Sequence, residues 1–567
     1  MILKALYDYY HRCDNMPSKG LEEKEIGFLL ILSQDGNFLR FEDCRDDDKK
    51  HARKYFVKQH VGRTSAPVAN YLYDNSAYVL GFSDKSNGNE QLCFDTFKEK
   101  IASIAEAFPD NRDVAAVKAF YENSRETILD IVSKDSLWEE ITKNLSKKYS
   151  TFSFRINNDV KILAEKKEIL QLEQNDSSEG GRLCLVSGKH GTSVETTTAT
   201  MIPGSQATAK LVAFQIQSGY DSYGKTKCGN APISEDAEFA YTTALNTMLQ
   251  PNSRNKFLVG NRTFLFWASS RNGASIQAEG SLFAMLGVAN ETKDNPNANI
   301  MKARRVFESI YSGELKTGLD DRFYILGLAP NSARIAVVYW SECPLKDFAE
   351  KILRHFDDME IHDTRKDKWP YMGIRDMIAS VTLEGRVSDA TPNLTEAVVK
   401  SIFQGLPYPA TLFTACIRRI RAEQKVTITR AAIIKAYLNR QNHNNKKIEI
   451  MLDKENSNHG YLCGRLFAVL EKIQEEANHI SSIRERYLNA ASATPATVFP
   501  AVLNLSIHHS EKLDEGRKIY FEKLKQEIIN KISGYGFPSH LDIQDQGRFF
   551  IGYYHQRQDF FTSRKEQ

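Results

Sequence analysis

Apolar positions change their spacing along the chain. Leu3, Leu6, Tyr7 and Tyr10 recur at helical intervals, whereas IGFLLILS at 26–33 is a continuous apolar run, followed by Asp35-Gly36 and NFLRFED. That order predicts a helix and then a β-hairpin. Asp43, Asp46, Asp47 and Asp48 then run into Lys49, Lys50, Arg53, Lys54, Lys58 and Arg63, a mixed-charge stretch expected as a solvated loop. NYLYDNSAYVLGF at 70–82 reads as a tight turn leading into a buried strand. Helical patterns fill 92–147, and QNDSSEGGR at 174–182 marks a break.

Between 183 and 340 the pattern returns to short strands: LCLVSG, AKLVAFQI, KFLVGNRTFLFWAS, FYILGL and ARIAVVYW. One helix interrupts them. It opens at Ser234, carries Glu235, Asp236 and Glu238 at its positive end, and runs through FAYTTALNTML. GVANETKDNPNANI, from about 288 to 300, has no periodicity and is expected to be an exposed linker. From 345 onward helical spacing dominates, in LTEAVVKSIFQG, PATLFTACIRRIRAEQ, ITRAAIIKAYLNRQ and four further segments after Met451. The fold class is therefore α+β. The expected division is an α+β region over 1–344, a helical basic region over 345–450 and a C-terminal helical bundle over 451–567.

Composition narrows the class further. The chain has 567 residues, 41% of them hydrophobic and 26% charged, enough for more than one core and ordinary for a globular protein. Its 75 basic and 72 acidic residues nearly cancel, so any nucleic-acid contact must be local. The eight cysteines form no C-x-x-C pair, which argues against a zinc ribbon or a small disulfide framework and favours reduced thiols. No stretch reads as a signal peptide or membrane span, so a cytoplasmic location is expected.

Residues 219–226, GYDSYGKT, match G-x-x-x-x-G-K-[ST] in every fixed place. A phosphate loop of that kind needs small residues inside it and a helix starting at Lys-Thr, so that helical N–H groups face the phosphates. Here Tyr220, Asp221 and Tyr223 fill the loop, and Cys228, Gly229 and Pro232 follow before a helix can begin. What the stretch offers is Ser222, Tyr223, Lys225 and Lys227 around Gly224, a composition suited to phosphate oxygens. An ordinary basic turn is the competing reading. SGKHG at 187–191 has the wrong glycine spacing for a phosphate loop. His362-Asp363 and His508-His509 lack further ligands at workable spacing, and no nucleophile elbow is present.

Cations concentrate between 411 and 450. Arg418, Arg419, Arg421, Lys425, Arg430, Lys435, Arg440, Lys446 and Lys447 stand against Glu423 and Glu449 alone. A basic island on helices in a near-neutral chain suggests a surface that tracks a phosphate backbone; a solubilising helix face is the alternative.

In order along the chain, MILKALYDYYHR, LYDNSAYVLG, SYGKTKCGNAPIS, QPNSRNK, FWA, YILGLAPNSARIAVVYW, RAAIIKAYLNR, GRLFAVLEKIQEEA and FFIGYYHQR resemble the large subunit of the type I-C CRISPR surveillance complex (Cascade). The resemblance implies a non-catalytic subunit without a cofactor, working in a prokaryotic cytoplasm. Its implied partners are the guide RNA, double-stranded target DNA and its displaced strand, the backbone subunits, the subunit at the guide-RNA 5′ end, and a helicase-nuclease. Such a subunit recognises the protospacer-adjacent motif, helps unwind the target and stabilises the R-loop, a division of labour in which the guide reads sequence by pairing. The resemblance also implies that the C-terminal bundle matches the complex's small subunit, made separately from the same gene; Met451, at the head of that segment, is the candidate internal start, with an ordinary internal methionine as the competing reading. ETTTATMIPG at 195–204 departs from the basic, histidine-containing stretch of relatives, so no phosphate role is carried over to it.

Roles follow from chemistry and resemblance together. Asn70 and Asn75 are candidates for reading base edges, with Arg63 and Thr64 holding the backbone; turn capping by the asparagines and ordinary surface charge are the competing reading. Ser222, Tyr223, Lys225, Lys227, Arg254, Lys256 and Arg334 are assigned to duplex or displaced-strand phosphates. Arg418, Arg421, Arg430, Lys435, Arg440, Arg465, Arg484, Arg486, Lys512 and Arg557 are candidates for single-strand contact. A nucleotide-hydrolysing or nuclease enzyme using the GYDSYGKT loop, and a purely structural scaffold, are the alternative readings.

Overall fold

A computed structural model describes residues 1–13, 16–61, 67–84, 88–147, 149–170, 181–214, 221–285, 298–364, 372–441, 447–480, 482–532 and 534–562. The architecture is α+β, as the spacing predicts. The chain divides into two units, residues 13–193 with 232–243, and residues 1–12 with 194–231 and 244–567.

The first unit is built on a four-stranded sheet in the order Phe38–Asp43, Phe28–Leu32, Thr151–Ile156, Tyr73–Asn75. Phe28–Leu32 pairs antiparallel with Phe38–Asp43, the predicted hairpin, and parallel with Thr151–Ile156. All five residues of Phe28–Leu32 are fully buried, which is why that strand reads as an unbroken apolar run. Gly36 in the hairpin turn has φ +82°, and a Cβ there would stand 2.5 Å from the Ala116 carbonyl oxygen, so both backbone and space call for glycine. The predicted helical region holds Glu90–Ala107, Arg112–Phe120, Arg125–Val132 and Trp138–Lys143.

Three expectations are corrected here. The charged stretch after Asp43 contains a strand, Lys54–Lys58, paired with Leu21–Glu25; Tyr55 and Val57 turn inward, and the lysines hide the alternation. At 70–82 the strand comes first, Tyr73–Asn75, and the chain then turns into the short helix Ser76–Val79, because Asn75 Oδ1 accepts the Ala77 N–H at 3.0 Å and starts it. LCLVSG is a tight turn beyond Leu183. The Cys184 sulfur accepts N–H groups from Val186, Ser187 and Ser234 at 3.4, 3.5 and 3.2 Å, which curls the chain around it. Burial would raise that thiol's pKa, and the Ser187 and Ser234 donors more than offset it, holding it down to about 7.

The second unit carries a four-stranded antiparallel sheet in the order Arg334–Pro344, Arg322–Asn331, Arg262–Ala268, Lys256–Val259, matching three of the predicted strand segments. AKLVAFQI forms only an isolated bridge, Lys210 to Arg334, within its described part. The helix predicted from Ser234 is Glu235–Leu249, with Ala237 N–H bonded to Ser234 Oγ at 3.3 Å. The linker at 288–297 and the break at 174–180 lie outside the described residues.

Helices follow from Leu345 to Asp559. The boundaries expected at 344/345 and 450/451 do not separate cores, because one hydrophobic core runs from Phe257 to Tyr554. Its tightest contact joins His459–Asn478 to Ile543–Asp559. A Cβ on Gly464 would meet the Phe549 carbonyl oxygen at 1.9 Å, and one on Gly552 the Tyr461 carbonyl oxygen at 2.1 Å, so the two backbones touch where glycine leaves room. On its other side Gly547 faces Phe413 and Ile434, from helices expected in a different domain.

Candidate nucleic-acid interface

The Asp221–Thr226 stretch is a turn made by its own backbone. Lys225 N–H donates to Ser222 O at 3.1 Å, Asn230 Nδ2 donates to the same oxygen at 3.0 Å, and Lys227 N–H reaches Asp221 Oδ1 at 3.3 Å. Tyr223 and Gly224 take the left-handed conformation with φ of 57° and 68°. A non-glycine residue there carries strain of about 1 kcal/mol or more, and its ring is 95% exposed beside the exposed Lys225. Lys225-Thr226 heads no α-helix. A single 3-10 turn, Lys227–Asn230, comes next, and Asp221 occupies the Lys227 N–H that a phosphate would need. Lys227 itself pairs with Glu195. Gly219 lies outside the described residues. The arrangement offers an exposed aromatic ring and one ammonium, a platform on which a base can stack while its phosphate is held.

The proposed base-reading amides serve the fold. Asn70 is buried, its Oδ1 accepting Val61 N–H at 2.9 Å and its N–H donating to Asp74 Oδ2 at 2.9 Å. Asn75 is exposed and caps the Ser76–Val79 helix. Arg63 and Thr64 lie outside the described residues, just after Val61.

The part of the basic island on the Ile428–Gln441 helix does not face solvent. The Ile428–Gln441 helix is buried from Ile428 through Leu438, so its cations point into protein. Arg430 donates to the carbonyls of Ser380 at 2.9 Å and Lys425 at 3.1 Å and pairs with Glu423 at 2.6 Å. Arg440 pairs with Asp358 at 2.5 Å, donates to Ser401 O at 2.7 Å and lies over the Tyr408 ring at 4.2 Å. Lys435 is 2% exposed, and burial lowers its pKa. Arg421 donates to Gln546 Oε1 at 2.8 Å, and burial lowers its pKa too. Arg419 pairs with Glu423, while Arg418, Lys425 and Lys447 are exposed; Lys446 lies outside the described residues.

Among the bundle candidates, Arg465 is fully buried, donating to Gln556 Oε1 at 3.0 Å and Glu527 Oε1 at 3.3 Å. Arg484 and Arg557 converge on the buried Glu471 at 3.5 and 2.9 Å. Arg486 is exposed, and the exposed Lys512 donates to Asn478 Oδ1 at 2.8 Å. Lys256 caps a helix end, donating to the carbonyls of Leu249 and Gln250 at 2.8 Å each, and burial lowers its pKa. Arg254 and Arg334 are exposed. Met451 is half exposed in the connection before His459–Asn478 and lines a cleft of about 800 Å³ with His362, Asp453 and His555. Arg375, which sequence reasoning passed over, is exposed and lines a groove with Arg254; no sequence signal links the two.

A family model described as CRISPR-associated protein (Cas_Csd1) matches residues 6–561. The chain belongs to this family. No curated protein matches it. The Cas_Csd1 match spans both units and the Tyr223–Lys225 turn, in keeping with a component of a Cascade-type assembly. Among the described residues of this CRISPR-associated chain, no group of three or more His, Cys, Asp and Glu side chains is placed to hold a metal ion, and no helix is long and apolar enough to cross a membrane.

Proposed function

We propose that the chain is the non-catalytic large subunit of an RNA-guided type I-C antiviral complex, which recognises the protospacer-adjacent motif in duplex DNA, helps open it and stabilises the displaced strand. The observation that carries this reading is the family match over residues 6–561. The exposed Tyr223 ring beside Lys225 supports it, because stacking with a nearby cation suits an unpaired strand. Lys225, Arg254, Arg334, Arg418, Arg486 and Lys512 are the exposed cations among the candidates for backbone contact. The remaining parts of the proposal are a base-reading role for the segment after Val61, assembly with guide RNA and backbone subunits, docking of the helicase-nuclease, and an internal start at Met451.

The test is DNA binding by the reconstituted complex, with and without this subunit, on duplexes carrying a matched target beside randomised flanks. Selection of one short flank only when the subunit is present is the expected result. Equal gain on all flanks makes the chain a backbone clamp or scaffold. ATP hydrolysis abolished by Lys225→Ala would replace the reading with an enzymatic one.

A further inference from the structure

The Lys256–Val259 strand ends its sheet, and nothing described pairs with its outer edge. Phe266 N–H donates to Asn255 O at 3.0 Å, which marks Asn255 and Phe266 as a hydrogen-bonded pair. Antiparallel pairing alternates, so Phe257–Phe264 and Val259–Arg262 are the next bonded pairs, and the N–H and C=O groups of Lys256 and Leu258 turn outward. Leu258 is 48% exposed, whereas Phe257 and Val259 are buried.

A groove of about 630 Å³ runs along this edge. Leu258, Phe283 and Val387 give it an apolar floor, and its lining carries Arg254, Lys256 and Arg375 with no carboxylate among the described residues. Lys256 is turned to helix carbonyls, but Arg254 and Arg375 make no hydrogen bond or ion pair among the described residues. We propose that this groove docks an extended acidic segment of a partner protein, which adds a strand to the sheet edge and sets its carboxylates against Arg254 and Arg375.

Two properties favour a peptide over a nucleic acid. The edge presents N–H and C=O groups together at strand spacing, which only another backbone satisfies in both senses; a phosphodiester supplies acceptors alone. The apolar floor of Leu258, Phe283 and Val387 suits alternate side chains of a strand, and unopposed guanidinium groups suit carboxylates between them. The proposal goes beyond the DNA-binding reading and does not depend on it.

The probe is a fluorescent peptide of about eight residues alternating glutamate and valine, titrated onto the full chain. Alternating lysine and valine, and an oligothymidylate of equal charge, are the comparisons. The acidic peptide is expected to bind in a salt-sensitive way. Leu258→Pro, which removes an outward N–H at a position where an edge strand tolerates proline, should weaken it about tenfold or more, as should Arg254→Glu with Arg375→Glu. N-methylation of alternate peptide residues on wild-type protein should do the same, so the result does not hang on the folding of a variant. The proposal is overturned if the acidic peptide binds no better than the lysine peptide, or if N-methylation has no effect. Oligothymidylate binding that is lost in the arginine reversals but indifferent to Leu258→Pro would overturn it in favour of nucleic acid.

Discussion

The Ile428–Gln441 helix and the Asp221–Thr226 turn both carry cations, and they use them in opposite ways. On the helix, Arg430, Lys435 and Arg440 are buried and spend their donors on carbonyls and carboxylates of neighbouring helices. On the turn, Lys225 stands in solvent beside a ring held out by a left-handed backbone. Charge density along a sequence therefore does not locate an electrostatic surface. A cation on a helix that is buried all round serves as a cross-link, whereas one on a short exposed turn stays open to an outside partner.

The largest effect should come from cutting a cross-link. Arg440→Ala removes a buried guanidinium from the half-buried Asp358 and from the Ser401 carbonyl, and is expected to cost about 3 kcal/mol in denaturant unfolding, with no change in the salt dependence of DNA binding by the folded fraction. A changed salt slope at full stability would move Arg440 to the surface side of the comparison.

Acid should test the buried side next. Burial holds His355 down from 6.5 to about 4 and His555 from 6.5 to about 3, so both imidazoles are neutral in the fold. The unfolded chain takes up their protons first, so this stability is complete above 6.5 and is lost as pH falls through 6.5 toward those folded values. Urea unfolding should show a loss of up to about 1.4 kcal/mol per pH unit for each imidazole in that window. A flat profile would mean that the two rings are solvated.

On the turn, Tyr223→Ala should leave the unfolding midpoint near wild type and weaken single-strand binding by about 1–3 kcal/mol, the contribution of one stacked base. Lys225→Ala should have the smallest effect, lowering the salt slope of binding by about 0.9 for one lost phosphate contact. An unchanged slope would leave the turn without a phosphate role.

How much of this was legible follows from where each residue keeps its pattern. The hairpin around Asp35-Gly36 and the strands of KFLVGNRTFLFWAS, FYILGL and ARIAVVYW were readable because their apolar runs end at turn residues. The Lys54–Lys58 strand was hidden because its outward positions are charged, and LCLVSG misled because a sulfur hub overrides strand propensity. The core that joins helices on both sides of Met451 could not be read, since Gly464, Gly547 and Gly552 announce close packing only once their partners are known. That 223–225 form an exposed polar turn was legible in its composition, whereas the burial of Arg430, Lys435 and Arg440 was not. That the chain is CRISPR-associated, by contrast, was legible in the order of the segments.

The backbone contact between His459–Asn478 and Ile543–Asp559 also imposes a schedule on synthesis. The earlier helix, and the Ile428–Gln441 helix beside it, leave the ribosome long before the segment that covers them, so their apolar faces must wait until residues near 554 have emerged. During that interval the nascent chain presents much of its largest core to solvent. Yield of folded protein should therefore be governed by chaperone access and translation rate over the stretch from 478 to 554 more than by the stability of the finished fold.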